Sequence, residues 1–175
     1  MAESGLRISE IVLRTSRYEE VRRWYQAVLG IEPYLDNERV SFRRLHSEFP
    51  YTQVLAIFNR AEAGQGDPTG PGLDHMQFRE PSFGALMDHY ERLRALGIKP
   101  FRSMNHGPGT SFYYRDPDGN VVEFSGANFA SEAEYFAFLD SDAFRRNISG
   151  VAIDPDDFVA KYRSGMPQKD LVKIG

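Results

Sequence analysis

The chain has 175 residues, the size of one domain; 41% are hydrophobic and 13% aromatic, enough to bury a core and too apolar for wholesale disorder. The formal net charge is −4 and the Lys and Arg residues are scattered rather than striped, which argues against a nucleic-acid backbone as partner. There is no cysteine, so disulfides, thiolate metal sites and cysteine nucleophiles are excluded together.

The opening residues, MAESGLRISE, lack the apolar stretch of a signal peptide. No apolar run approaches the roughly 20 residues of a membrane helix. The expectation is a cytoplasmic protein with no membrane partner.

In chain order, a short strand at Glu10–Arg14 precedes a helix predicted from about Ser16 to Leu29. Ser16 and Glu19 have capping-box spacing, and Val21, Trp24, Tyr25 and Leu29 form an apolar stripe. Strands at Ser41–Arg44 and Val54–Phe58 follow. Ala61–Gly72, rich in Gly and Pro, reads as a linker. The pattern then returns: a strand at His75–Arg79, a helix at about Ser82–Leu96 with Leu86, Tyr90, Leu93 and Leu96 on its stripe, and strands at Ser111–Tyr114 and Val121–Ser125.

The two halves repeat one another. Leu29-Gly30-Ile31-Glu32-Pro33 returns as Leu96-Gly97-Ile98-Lys99-Pro100, each glycine falling where a left-handed residue ends a helix. Corresponding elements stay 65 to 70 positions apart, as from Glu10 to His75 and from Ser41 to Ser111. The expected fold class is α+β: two βαβββ modules, about 8–60 and 73–126, forming a curved mixed sheet around a central cavity. Residues 1–126 form the domain. Residues 127–175 form a helical tail packed on it, with one helix capped by Ser131 and Glu134 running to about Arg146 and another starting at Asp154-Pro155 and ending before Gly165.

Alternation puts Glu10, Val12 and Arg14 on one strand face, and His75, Gln77 and Arg79 on the equivalent one. Glu123 lies on the last strand opposite Val122 and Phe124. One histidine and two carboxylates converging from three strands form a candidate divalent-metal site with open positions. Taken singly, each residue is more ordinary: a strand histidine is usually hydrogen-bonded core, and a glutamate at a strand start is usually solvated.

Gly107-Pro108-Gly109-Thr110-Ser111-Phe112-Tyr113-Tyr114-Arg115-Asp116-Pro117-Asp118-Gly119-Asn120 followed by Glu123 resembles the C-terminal motif of the vicinal-oxygen-chelate superfamily. Ile11–Thr15, Trp24-Tyr25 and Leu29-Gly30 also fit. The nearest resemblance is to type I extradiol dioxygenases and their single-domain relatives. It implies the glyoxalase/extradiol dioxygenase-like fold and a metal held by Glu10, His75 and Glu123. It also implies Fe(II), with Mn(II) or another divalent ion as alternatives, a small-molecule substrate and dioxygen; a homodimer is one assembly it allows.

Two positions depart from that family. Its first ligand, normally histidine, falls on Glu10, and its acid-base histidine falls on Thr52, beside Tyr51. A second carboxylate neutralises a divalent ion that two histidines and one carboxylate would leave with a single positive charge, weakening its pull on a catecholate. Threonine does not titrate near neutrality. The remaining candidates for orienting substrate or moving protons are Tyr113, on the family's active-site tyrosine, His106, Tyr51 and His46. His46 reads as an exposed loop histidine, His89 as surface, and Phe112, Tyr113 and Tyr51 as aromatic walls.

The expected activity is that of a metal-dependent enzyme on an oxygenated aromatic or polyketide-like molecule, most like extradiol ring cleavage. Non-oxidative isomerase or lyase chemistry of the glyoxalase type, and non-catalytic binding, are the alternatives.

Overall fold

The structure is a computed structural model, and it describes residues 8–46, 53–60, 62, 64 and 73–174. Most of the linker and both Tyr51 and Thr52 lie outside the described residues. Two compact units divide the chain: residues 1–72 with the turn Asp116–Gly119, and Leu73–Arg115 with Asn120–Gly175.

In the first unit, strand β1 (Glu10–Thr15) leads into helix α1 (Tyr18–Leu29), followed by β2 (Leu35–Asp36), β3 (Val40–Arg44) and β4 (Val54–Asn59). The sheet order is β1-β4-β3-β2, with β1 parallel to β4 and the other pairs antiparallel. Helix α1 carries the chain from β1 across to β2 at the opposite edge, and hairpin-type connections then bring β3 and β4 back, so that β4 lies parallel beside β1. The helix begins two residues later than its sequence suggests. Arg17 is the N-cap and makes no side-chain cap bond, and its N–H goes to Thr15 Oγ1 at 2.8 Å, so the Ser16–Glu19 capping box does not form. Its buried stripe is Tyr18, Val21, Tyr25 and Val28, shifted from the predicted Trp24 and Leu29. Gly30 at φ 65° ends it, as expected.

The second unit repeats this plan. Strand β5 (His75–Arg79) precedes α2 (Phe83–Ala95), then β6 (Arg102–Asn105), β7 (Gly109–Arg115) and β8 (Val121–Ala127). The order is β5-β8-β7-β6, again with the outer pair β5–β8 parallel. Ser82 caps α2 by accepting from Ala85 N–H. The buried face carries Phe83, Leu86, Met87, Tyr90 and Leu93, whereas Leu96 is exposed because Gly97, at φ 76°, has already turned the chain. Matching strand order and pairing sense in both units bear out the two βαβββ modules read from the repeat.

The tail differs from its expected form. The predicted single helix is two: α3 (Glu132–Leu139), with the Ser131–Glu134 capping box in place, and α4 (Asp142–Arg146), started afresh by Ser141 as N-cap. A short strand, β9 (Val151–Ala152), then pairs with β6 and extends the second sheet. Helices α5 (Pro155–Arg163), capped by Asp154, and α6 (Gln168–Leu171) complete it.

Tyr90 donates to Asp156 at 2.6 Å, Phe83 packs on Phe158, and Arg163 pairs with Asp88 and Glu91, so α5 is bound to α2. Among the described residues no helix is long and apolar enough to cross a membrane.

Candidate active site on the second sheet

Cross-strand register sets the site. Residues directly opposite on neighbouring strands point to the same face. Gln77, Glu123, Tyr113 and Arg102 therefore form one row across β5, β8, β7 and β6, and Arg79, Ser125, Ser111 and Met104 form the next. The intervening Phe78, Phe124 and Phe112 take the opposite face. Phe112, expected as a wall of the site, instead packs 5.0 Å from Tyr90 of α2 in the core.

A cavity of about 290 Å³ opens over these rows. Its floor includes Gln77, Arg79, Gly109, Ser111, Glu123 and Ser125. Its apolar side comes from Tyr135, Leu139, Phe144 and Ile148 of the tail. Sequence reasoning missed these four, because nothing in the repeat signals where a non-repeated tail docks. Gly107 fixes that docking: at φ 90°, any Cβ there would lie 2.1 Å from the Phe138 ring of α3.

His75 and Glu123 meet as their strand faces suggest. Glu123 is buried, 3% exposed, and its Oε2 lies 2.9 Å from His75 Nε2. Gln77 Nε2 donates to Glu123 Oε1 at 2.9 Å, so one carboxylate oxygen is fixed while the other faces the imidazole. His75 Nδ1 lies 2.6 Å from Asp74 Oδ1. If Nδ1 carries the proton toward Asp74, a lone pair on Nε2 faces a lone pair on Glu123 Oε2. Two acceptors that close need a shared cation, either a proton or a metal ion. Imidazole nitrogen and carboxylate oxygen are a donor set that fits a divalent ion, and an outer carboxylate on the far imidazole nitrogen is the usual way such a ligand is oriented.

Glu10 opens β1 in the first unit and is exposed. Among the described residues, no group of three or more His, Cys, Asp or Glu side chains is gathered closely enough to hold an ion.

Tyr113 and His106 form a second pair. His106 Nδ1 lies 3.0 Å from the Ser149 carbonyl, which can only accept, so Nδ1 carries the proton. His106 Nε2 is then an acceptor for the Tyr113 hydroxyl at 2.9 Å. His106 and Tyr113 are thus hydrogen-bonded to one another, with the tail's Ser149 as the anchor. Burial pushes the Tyr113 hydroxyl up to about 12, with the Glu123 charge adding to the rise and Arg102, stacked 4.8 Å over the ring, opposing it. The Ser111 hydroxyl opposes the rise as well, as the smallest of these influences.

The remaining histidines lie elsewhere. His46 is exposed in a loop, as expected. His89, expected at the surface, is half-buried: it pairs with Glu80 and its ring lies 4.2 Å from that of Phe124.

The profile described as Glyoxalase/Bleomycin resistance protein/Dioxygenase superfamily matches residues 7–124. The chain is 32% identical to biphenyl-2,3-diol 1,2-dioxygenase 3 of Rhodococcus globerulus over 94% of its own length and 86% of that protein's. It is 33% identical to biphenyl-2,3-diol 1,2-dioxygenase 2 of the same organism, over 92% and 84%.

Among solved structures, a lactoylglutathione lyase from Agrobacterium tumefaciens is similar in fold, with a TM-score of 0.55 at 22% identity over 71% of this chain and 96% of that one. A glyoxylase/bleomycin resistance protein/dioxygenase domain from Frankia sp. EAN1pec aligns with a TM-score of 0.54 at 25% identity over 72% and 99%. The repeated modules, the motif ending in Glu123 and these likenesses agree: the chain belongs to the glyoxalase/bleomycin resistance protein/dioxygenase superfamily, the vicinal-oxygen-chelate group.

Proposed function

We propose that this protein is a metal-dependent, extradiol-type dioxygenase acting in the cytoplasm on an oxygenated aromatic small molecule. The observation that carries the reading is the His75–Glu123 pair, an imidazole nitrogen and a carboxylate oxygen 2.9 Å apart, on the two residues to which the family resemblance assigns metal ligation. Glu10 is proposed as the third ligand, and Fe(II) as the ion. Such an ion would supply Lewis-acid and redox chemistry to two adjacent substrate oxygens, with dioxygen as co-substrate.

The chain's own residues do the rest. Asp74 orients the His75 ring and Gln77 fixes the Glu123 carboxylate. Tyr113 stays neutral across the physiological range because burial raises its pKa. It can therefore hold a substrate oxygen by hydrogen bond and pass a proton through Oη to His106 Nε2. His106, anchored by Ser149, is positioned to keep or release that proton. Proton handling of this kind typically contributes about a hundredfold to ten-thousandfold in rate. Tyr135, Leu139, Phe144 and Ile148 cover an aromatic ring and exclude water on one side. Tyr51 and Thr52 are proposed as further wall residues near the substrate.

One observation favours a second reading, non-oxidative isomerase or lyase chemistry. Glu10 is an exposed carboxylate where the family has a histidine, and a carboxylate can serve as a base instead of a ligand.

The test is metal analysis of protein purified anaerobically, followed by oxygen uptake with a panel of catechols. Bound iron and ring-opened product are expected, and the double variant His75→Ala/Glu123→Ala should take up no metal. Unchanged metal stoichiometry in that variant would remove the site. Turnover without oxygen would favour the second reading.

A further inference from the structure

The row of the second sheet next to Glu123 carries groups that neither the His75–Glu123 pair nor the Tyr113–His106 pair uses. Arg79 of β5 stands opposite Ser125 of β8, and Ser125 stands opposite Ser111 of β7. All three line the cavity floor. The Arg79 side chain has no hydrogen-bond or ion-pair partner among the described residues. Its guanidinium bends across the floor rather than away from it: Nη1 lies 4.0 Å from where a Cβ on Gly109 would stand, two residues along β7 from Ser111.

Ser111 is 1% exposed, and its Oγ is buried without a hydrogen-bond partner among the described residues. Ser125 is equally buried. Its Oγ accepts from Gln77 Nε2 at 3.1 Å, which leaves its own proton available to donate. A buried hydroxyl without a partner is costly, and such orphans in folded proteins mark places where another group belongs.

A permanent cation in one row with two buried hydroxyls is a constellation that receives a planar oxyanion, for which the guanidinium fork is suited to two parallel hydrogen bonds. Among the described residues lining this cavity Glu123 is the one acid, and its carboxylate is already engaged by Gln77 and His75.

From these observations we infer that Arg79, Ser111 and Ser125 form a carboxylate subsite, so that the substrate is an aromatic diol bearing an acidic substituent. The inference rests on the function proposed above for the placement of the diol. His75 and Arg79 are four residues apart on β5, about 13 Å between Cα atoms at the usual strand rise. The distance a substrate must bridge is shorter: Glu123 lies one row, two residues or about 7 Å, from Ser125, so a catechol ring at Glu123 with a carboxylate on a short arm reaches the Arg79–Ser125–Ser111 row, its ring against the apolar tail side.

The test is anaerobic calorimetric titration with a matched pair of probes: a catechol carrying a propionate arm beside one hydroxyl, and its methyl ester. Wild type should bind the acid about 10–100-fold more tightly than the ester, the range expected for hydrogen bonds to a charged group. In Arg79→Gln that ratio should fall to about one, while Arg79→Lys should keep part of it. Equal affinity for the two probes in wild type, a preference that survives Arg79→Gln, or no binding of either probe would each overturn the subsite.

Oxygen uptake with the same probes is read separately. Preferential binding of the acid without ring cleavage would leave the subsite standing and remove the dioxygenase reading. Cleavage of both probes with no preference would do the reverse.

Discussion

Replacing Ser111 by alanine should make the folded protein more stable, which is the opposite of what most substitutions do. Ser111 lies on β7 with 1% of its surface exposed, and its hydroxyl has no hydrogen-bond partner among the described residues. Burying a polar group that finds no hydrogen bond costs about 1–3 kcal/mol, so its removal should return roughly that much, less a little for the small void left by the oxygen. A net gain of about 1 kcal/mol corresponds to a rise in Tm of about 2–4 °C for a chain of this size.

Calorimetry and denaturant midpoints should agree on the sign, and the denaturant slope should not change. Binding of the acidic catechol should weaken in the same variant, because the hydroxyl is retained at a cost in stability for the ligand it meets. A loss of stability of 1 kcal/mol or more would show that the hydroxyl is hydrogen-bonded in the folded protein, and would remove the reason for treating it as a ligand-facing group.

Alkaline stability should fall steeply, because Tyr18, Tyr25, Tyr90, Tyr113 and Tyr114 all have raised pKa values, with burial the leading cause in each. The fold favours their neutral forms, so this contribution is complete below the ordinary tyrosine value near pH 10 and is lost as pH rises through about 12 for Tyr113. Denaturant midpoints at increasing pH should show the decline, and Tyr113→Phe should lessen it; a flat profile would contradict the assignment. Ser131→Ala removes one half of the capping box of α3 and should cost that helix about 1 kcal/mol, read as faster hydrogen exchange in residues 132–139. The native protein should cleave unsubstituted catechol poorly. Glu10→His with Thr52→His should raise that rate at matched iron occupancy, and fast cleavage by the native chain would refute the weight placed on those two departures.

Much of this architecture is local and therefore legible in the sequence. The glycines at 30 and 97 adopt positive φ where the Leu-Gly-Ile-x-Pro repeat places them. Asp116-Pro117-Asp118-Gly119 makes the turn its residues favour, with Gly119 at φ 89° and its N–H bonded to the Asp116 carbonyl. Strand alternation put His75, Gln77 and Arg79 on one face and set Glu123 apart from its apolar neighbours, because side-chain direction along a strand depends only on parity.

Other features depended on partners distant in sequence. Ser16 and Glu19 have the spacing of a cap, but Thr15 Oγ1 takes the Arg17 N–H and the helix starts later. Phe112 and Tyr113 are neighbours in sequence, yet only pairing with Phe124 and Glu123 decides which enters the core and which faces the cavity. Arg79, Ser111 and Ser125 become one group only when β5, β8 and β7 lie in register. The tail's contribution, Tyr135, Leu139, Phe144 and Ile148, has no counterpart in the repeat. Two modules, and a histidine and a glutamate on strand faces that could meet, were legible in the sequence. The tertiary structure decided what surrounds that pair, because a cavity wall is made by contacts between segments that no local periodicity encodes.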